Sequence, residues 1–557
     1  MTTDTSTDVP PQTIGWREPR FQAMADHGLL ATFGDRIEEA LSRRIASLTS
    51  MLEADEFPGV RDLIPAYTSL TVMYDQAVTD VDALKDWIAR LWLDRIAVPE
   101  DHVDPAREVQ IPVHYGGASG PDLLDIARQS GLASAEVVRR HADSRYVVGA
   151  LGFAPGFGFL IGLPPELATP RRRTPRSRIP PGSVGIGGRQ TGVYSLPTPG
   201  GWSLIGRTPL TLFDAARSPA SLLATGDIVR FDPINRTRFV ELATREAKRP
   251  APKGREPVRR PGFEVLDPGL QTTVQDLGRW GQGRIGVSPS GAADRGALVA
   301  GNRALGNDDI AAGLEITWSG PRLRFLIPAR IALTGADLGA RLGEMRLLPG
   351  SVRAVHPGDE LAFDRGDKPR GFRAWLCVSG GIDVPLVMGS RSTDLAAGMG
   401  GLDGRPLAAG DRLPIGRARL AAAHRHGLAG ARPASHAPFR VVAGPERDRI
   451  DARTWQMFLS RAFTVSSQSN RVGVRLDGPT LSLIGGADII SSGMVTGTIQ
   501  LTGEGQPIVA LPARATVGGY PRIATVIAAD LDRLAQLAPG DPVRFTEVSL
   551  DDASQPR

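Results

Sequence analysis

Gly226-Asp227-Ile228-Val229-Arg230-Phe231 in the first half of the chain and Gly540-Asp541-Pro542-Val543-Arg544-Phe545 in the second are two copies of one short phrase. Each ends a longer repeat. Gln190, Val193, Leu196-Pro197 and Gly200-Gly201-Trp202 precede the first copy; Gln506, Val509, Leu511-Pro512 and Gly518-Gly519-Tyr520 precede the second. Upstream again, Gly182-Ser183-Val184 is echoed by Gly497-Thr498-Ile499. Short apolar runs punctuated by Gly and Pro read as strands joined by tight turns. Two further Gly-Asp turns, Gly358-Asp359 and Gly410-Asp411, each head an apolar strand between the copies. Two modules of like fold are expected, and a functional site is sought at the seam between them, where pockets commonly lie.

A chain of 557 residues is too long for one core, so roughly three to five domains are expected. Of 65 basic residues only Lys85, Lys248, Lys253 and Lys368 are lysines. The arginines are scattered instead of interleaved with aromatics, and nucleic-acid binding is not expected. Cys377, the only cysteine, lies in the apolar run Trp375-Leu376-Cys377-Val378. It reads as an inert core residue, and the absence of any intrachain disulfide fits a reducing, cytoplasmic setting. The uncharged run 147–163 is interrupted by Pro155 and five glycines, so it reads as buried loop and strand and not as a membrane span. No secretory signal is visible.

The fold class expected is mainly β with an N-terminal α+β domain. Residues 1–20 read as a frayed polar tail and 21–115 as a small α+β domain. Within it, strands are expected near 29–33, 63–74 and 109–114. Helices are expected over 35–52, with Asp35 as N-cap and Ile37, Leu41, Ile45 and Leu48 on one face, and over 81–96. A barrel follows over 116–243, a linker over 244–262 and a β-rich domain over 263–426. A weaker linker covers 427–438 and a last barrel 439–550. Residues 122–141 read as two short helices around Gly131, a superficial helix-turn-helix without a basic recognition face. His114 and His141 have no spacing that suggests a metal site.

The motifs carry a family resemblance. Leu151-Gly152-Phe153-Ala154-Pro155-Gly156-Phe157, Thr169-Pro170-Arg171-Arg172 and Gly182 through Tyr194 resemble the B subunit of 5-oxoprolinase, which is also called allophanate hydrolase subunit 1. After the linker, Thr272-Thr273-Val274-Gln275-Asp276-Leu277-Gly278-Arg279, Ser288-Pro289-Ser290-Gly291-Ala292-Ala293-Asp294, Ser379 through Pro385, Ser467-Gln468-Ser469-Asn470-Arg471 and Gly518-Gly519-Tyr520-Pro521-Arg522 resemble the C subunit of the same enzyme. The resemblance runs from about residue 25 to 550. It implies cyclophilin-like β-barrels beside the α+β domain. It also implies one of two chemistries. The B and C subunits of 5-oxoprolinase use ATP, with Mg, to activate 5-oxoproline, which the separate A subunit opens to glutamate. The equivalent module of urea carboxylase, a carboxyltransferase, moves a carboxyl group from carboxybiotin to urea. A third reading, a non-enzymatic binding protein, follows from relatives described as inhibitors of a sporulation kinase.

Both chemistries handle anions, for which Arg offers bidentate donors and Gly-rich turns offer backbone N–H groups. Arg171, Arg172 and Arg173 with the segment from Ser183 to Gly187 and Gly188 form a candidate anion cradle. They read equally as a solvated Arg run and a plain turn. Asn470, Arg471 and Arg522 are the second-half counterparts. Asp276, with Gln275 and Arg279, is a candidate acid/base or magnesium ligand, or else a capped turn; Asp294 and Asp383 are weaker candidates. Tyr194 and Tyr520, beside Gln190 and Gln506, could wall a planar ring or simply pack the barrels. Asp276, Arg471 and Arg522 are the expected catalytic residues, and no dedicated metal site is expected.

No G-x-x-x-x-G-K-[ST] occurs, so an ATP site here is not a P-loop. No Lys sits between methionines, so biotin would have to arrive on another protein. The expected partners are an A-type 5-oxoprolinase subunit plus a small-molecule substrate, with self-association left open. The chain departs from the family before Gly518: Ala513 and Ala515 stand where an Asp and a Gln are usual, and Val517 where a second Thr is. Gly158-Phe159 likewise replaces the usual Pro-Tyr.

Overall fold

The first repeat closes into a seven-stranded barrel. Around it run Tyr146–Leu151, Ile228–Pro233, Glu108–Tyr115, Ser203–Arg207, Ser183–Gly187, Gln190–Val193 and Gly158–Ile161, the last pairing back onto the first. The second repeat has the same order: Phe463–Val465, Pro542–Val543 with Phe545–Glu547, Phe439–Ala443, Arg522–Val526, Thr498–Leu501, Pro507–Ala510 and Gly473–Asp477. In each barrel the quoted phrase is the strand that runs parallel to the barrel's first strand. Phe231 lies opposite Ile111, and Phe545 opposite Phe439. The computed structural model describes residues 16–98, 106–249, 260–363, 370–418 and 437–554.

All four Gly-Asp turns are built alike. Gly226, Gly358, Gly410 and Gly540 have φ of 89°, 94°, 89° and 93°, where a side chain would be strained. The Asp carboxylate accepts the backbone N–H three residues upstream, at Ala224, His356, Ala408 and Ala538, over 2.7–2.8 Å. The glycine N–H goes to the adjacent strand in every case. The recurrence seen in the sequence is thus one local hydrogen-bonding unit used four times.

Between the barrels, a six-stranded and a five-stranded sheet enclose the core of Phe263, Leu314, Leu333, Leu361 and Leu376. The chain is mostly β, with 34% strand and 21% helix. Cys377 is buried on the other face of its strand, with Leu298 and Trp375, and burial pushes its thiol up to about 12. His141 is buried between the Tyr115 hydroxyl and the Thr191 hydroxyl, both at 2.9 Å, and burial lowers it to about 3. No helix among the described residues is long and apolar enough to cross a membrane.

At the N-terminus, Arg20–Ala23, Gly28–Thr32, Ser69–Tyr74 and Val60–Ala66 form an antiparallel sheet that continues into the first barrel through Ala66 and Ala150. Helices Glu39–Ala54 and Val81–Ala97 cover it; Asp80 caps the second by accepting from Asp82 and Ala83. Several expected boundaries are corrected. The first helix begins at Glu39 without a side-chain cap, because Ile37 is exposed and the buried stripe starts at Leu41. The run 63–74 is a hairpin, turned at Tyr67 with φ of 51°. The strand Glu108–Tyr115 belongs to the barrel and not to the α+β domain. The expected tail is engaged from Trp16, whose carbonyl accepts from Trp92; residues 1–15 lie outside the described residues. Of the linker 244–262, the first residues end helix Arg236–Ala247 and the last begin strand Pro261–Asp267. Residues 250–259, and 419–436 of the second linker region, are outside the described residues.

The outer face of the first barrel, packed around Trp202, tolerates little. An added Cβ on Gly187 would lie 2.5 Å from the buried Trp202 indole. Gly187→Ala should cost about 1–3 kcal/mol by overpacking, read by urea denaturation of the full chain. An unchanged midpoint would show that Trp202 can retreat.

Candidate functional site

A cavity of about 320 Å³ opens where three parts of the chain meet. One wall is the N-terminal layer, with His27, Arg61, Met73, Tyr74 and Asp75. The second is the start of the second half, with Leu277, Trp280, Ser290 and Arg295. The third is the last barrel and its helix, with Thr496, Pro512, Leu531 and Asp532. Cross-links hold these walls in register. His27 Nε2 meets the Thr496 carbonyl at 2.8 Å, and Asp26 accepts from Ala528 N–H at 2.9 Å. Asp532 accepts from the N–H groups of Arg295 and Gly296 at 2.9 and 3.1 Å, capping helix Arg295–Leu305 from the last barrel. The buried Asp62 accepts from Gly283 N–H at 2.9 Å.

The lining is amphipathic. The Arg61 and Arg295 guanidiniums stand 5.5 and 5.8 Å from the centre of the Trp280 ring, within cation–π reach. Arg61 is ion-paired with Asp75. Arg295 has no hydrogen-bond or ion-pair partner for its guanidinium among the described residues. Burial, and then the positive charge of Arg61, lower its proton affinity. Ser290 sits in the wall at φ of 51°, its buried hydroxyl without a hydrogen-bond partner among the described residues.

None of the candidate site residues singled out in the sequence lines this cavity, although Leu277, Trp280, Ser290 and Arg295 are in or beside the quoted motifs. The expected catalytic trio is placed elsewhere. Asp276 is held by four donors: Oδ1 accepts from Ser390 Oγ (2.6 Å), Ser392 Oγ (2.5 Å) and Gly278 N–H (2.8 Å), and Oδ2 from Arg391 N–H (2.6 Å). A carboxylate so held pins two loops together, with Oδ1 fully engaged and Oδ2 bonded once. Arg471 is buried against Glu315 and donates to the Gly291 carbonyl at 2.5 Å; burial lowers its guanidinium to about 10. Arg522 is buried and pairs with Glu446, with Nη1 on the Gly493 carbonyl at 2.9 Å. Arg279 and Gln275 donate to the carbonyls of Ser392 and Thr393, while Arg279 Nη1 and Gln275 Oε1 are buried without a hydrogen-bond partner among the described residues. Asn470 forms a turn, its Oδ1 accepting from Val472 N–H.

The Gly-rich cradle is also corrected. Ser183–Gly187 is a central barrel strand paired on both sides, so its amides are spent in the ladder. Gly188 exchanges N–H and carbonyl with Thr169. Arg172 pairs with Asp122 at 3.2 Å. What the structure does bring together is Gln190, Arg171 and Tyr194. Gln190 Nε2 donates to the Tyr67 hydroxyl at 2.7 Å, and the Arg171 charge acts on both Tyr67 and Tyr194. Burial nonetheless pushes Tyr194 up to about 12, leaving both phenols protonated. Tyr194 packs with Phe157 and Trp202. Tyr520 is partly exposed on the last barrel, and Gln506 reaches the Gly478 carbonyl. Ala513 and Ala515 do not line the cavity; Arg514 between them is buried on the Met494 carbonyl.

The cavity offers few cationic groups. Of its two guanidiniums Arg61 is already ion-paired, it contains no lysine, and the described residues contain no group of three metal-ligating side chains.

Residues 285–547 match the carboxyltransferase domain, subdomain A and B, and residues 19–223 match subdomain C and D of the same domain. The second half is 40% identical over 295 residues to the C subunit of 5-oxoprolinase from Escherichia coli (strain K12), covering 53% of this chain and 94% of that one. The first half is 42% identical over 219 residues to the B subunit of 5-oxoprolinase from Bacillus subtilis (strain 168), covering 38% and 91%. The chain belongs to the family of 5-oxoprolinase B and C subunits. It is a B–C fusion, with the B-like part first. The crystal structure of TTHA0988 superposes with a TM-score of 0.80 at 33% identity, over 93% of this chain and 99% of that one, so both parts keep one arrangement. In 5-oxoprolinase terms, the cavity draws its first wall from the B-like part and the other two from the C-like part. Arg61 and Asp75 lie outside every motif quoted for the family, which is why sequence reading missed them. Trp280 and Arg295 could have been found as immediate neighbours of Arg279 and Asp294.

Proposed function

We propose that this chain is the fused B–C component of an ATP-dependent 5-oxoprolinase, activating 5-oxoproline for opening to glutamate by a separate A subunit. The observation that carries this reading is that the cavity exists only across the B–C boundary. Neither the B-like nor the C-like part encloses it alone, which gives a physical reason for two such subunits to act together and for their fusion here. The lining suits a small amphipathic substrate: guanidiniums for an anionic group and an indole face for a ring. The names of the relatives, each a subunit of a larger enzyme, support a partner protein.

The test is glutamate release and ATP hydrolysis by the purified chain with 5-oxoproline, with and without a cognate A subunit. Turnover only in the combined sample is expected. A bound, folded partner with no turnover would sink the reading. The match to carboxyltransferase domains favours a second reading, carboxyl transfer to a small amide from carboxybiotin on a carrier protein. Transfer from a carboxybiotinylated carrier without ATP hydrolysis would establish it instead.

A further inference from the structure

We propose that Arg295 and Trp280 form the carboxylate-recognition end of the cavity, so that the site selects a small ring-bearing monocarboxylate. This deepens the reading of the cavity as the substrate site and rests on it. At about 320 Å³ the cavity is at the small end of the roughly 300–1,000 Å³ typical of ligand pockets. The two guanidiniums on Trp280 are not equivalent. Arg61 is neutralised by Asp75, whereas Arg295 faces the cavity without a hydrogen-bonded or ion-paired partner among the described residues. The nearby Asp532 is engaged by the backbone of Arg295 and Gly296. Burial and Arg61 disfavour this cation, while Asp532 and Asp75 attract it through space without a hydrogen bond or ion pair to its guanidinium among the described residues, so its donors remain open to an incoming anion. One such cation matches one carboxylate. The Trp280 face, with Met73 and Leu531 also in the lining, then accepts the apolar side of a ring.

The test uses the full chain and three probes: 5-oxoproline, 2-pyrrolidinone (the lactam without the carboxylate) and cyclopentanecarboxylate (the carboxylate without the lactam). Calorimetry should show both carboxylates binding, with 2-pyrrolidinone at least about tenfold weaker than 5-oxoproline. Arg295→Gln should weaken both carboxylates by about tenfold or more and leave 2-pyrrolidinone unchanged, while Arg295→Lys retains part of the affinity. Thermal unfolding of each variant separates lost recognition from lost fold. Trp280→Ala should weaken all three probes. The proposal is overturned if Arg295→Gln binds 5-oxoproline like the unaltered chain, or if no carboxylate binds the unaltered chain. The two readings separate cleanly. Turnover in the combined sample, with an Arg295→Gln KM unchanged from the unaltered chain, would leave the oxoprolinase reading standing and remove this one. Arg295-dependent binding of cyclopentanecarboxylate without 5-oxoproline turnover would do the reverse.

Discussion

Replacing Glu315 by Gln is expected to destabilise the chain by on the order of 3–5 kcal/mol, the loss that breaking a buried ion pair brings. Glu315 is 1% exposed and serves two buried cations, Arg471 in direct contact and Arg373 at 3.6 Å. Its second oxygen accepts from Ala293 N–H at 2.9 Å, in the cavity wall. Glutamine keeps the shape but leaves Arg471 without a carboxylate, and Arg373 with only the charge of Asp294, in a region that excludes water, where an uncompensated charge is costly. Urea denaturation measures the loss. The comparison is Asp309→Asn, which breaks the exposed ion pair with Arg303 and should cost under about 1 kcal/mol. If the two variants lose equally little, the buried group is not structural, and a catalytic role for Arg471 becomes tenable again.

Asp62→Asn should remove a pH dependence that the parent chain shows on the acid side of neutrality. Asp62 is fully buried; Oδ1 accepts from Leu63 and Gly283, and Oδ2 has no partner among the described residues. Burial raises its carboxyl from an ordinary 3.8 to about 7, against the opposing pull of the Gly283 hydrogen bond and the Arg514 charge. Between those values the folded protein keeps the proton that the unfolded chain has released. Stability therefore falls as pH rises from about 4 to about 7 and levels off above, with a slope of up to roughly 1.4 kcal/mol per pH unit. Unfolding free energies at pH 5, 6 and 7.5 should fall in the parent and stay flatter in Asp62→Asn, which preserves the Oδ1 bonds. Parallel curves for the two proteins would refute the shift.

Local signals were legible. The four Gly-Asp turns, the helices over Val81–Ala97 and around Gly131, the buried Cys377 and the broken uncharged run 147–163 all follow from turn chemistry, apolar period and composition. Misreadings came where a distant contact overrides a local preference. Tyr67 occupies a left-handed turn that neither Gly nor Asn announces; its N–H is bound by Gly149 and its hydroxyl by Gln190. For the site, residue type alone does not tell which groups are already engaged. Arg471, Arg522 and Asp276 have side chains suited to anions and proton transfer, yet Glu315, Glu446 and the Ser390–Ser392 loop occupy them.

By itself the sequence determined that two like β-modules flank a third β-rich segment, and that its two halves resemble two different proteins of one enzyme. Repeated turns and alternating apolar strands encode such modules through contacts only a few residues apart. Only the tertiary structure decided that the cavity lies between the N-terminal layer and the second half, not between the two barrels. It also decided that Arg295, and not Arg471 or Arg522, has an anion-binding group unclaimed. Which charges are already neutralised depends on partners far along the chain, such as Glu315 for Arg471 across 156 positions, and no local pattern records that pairing.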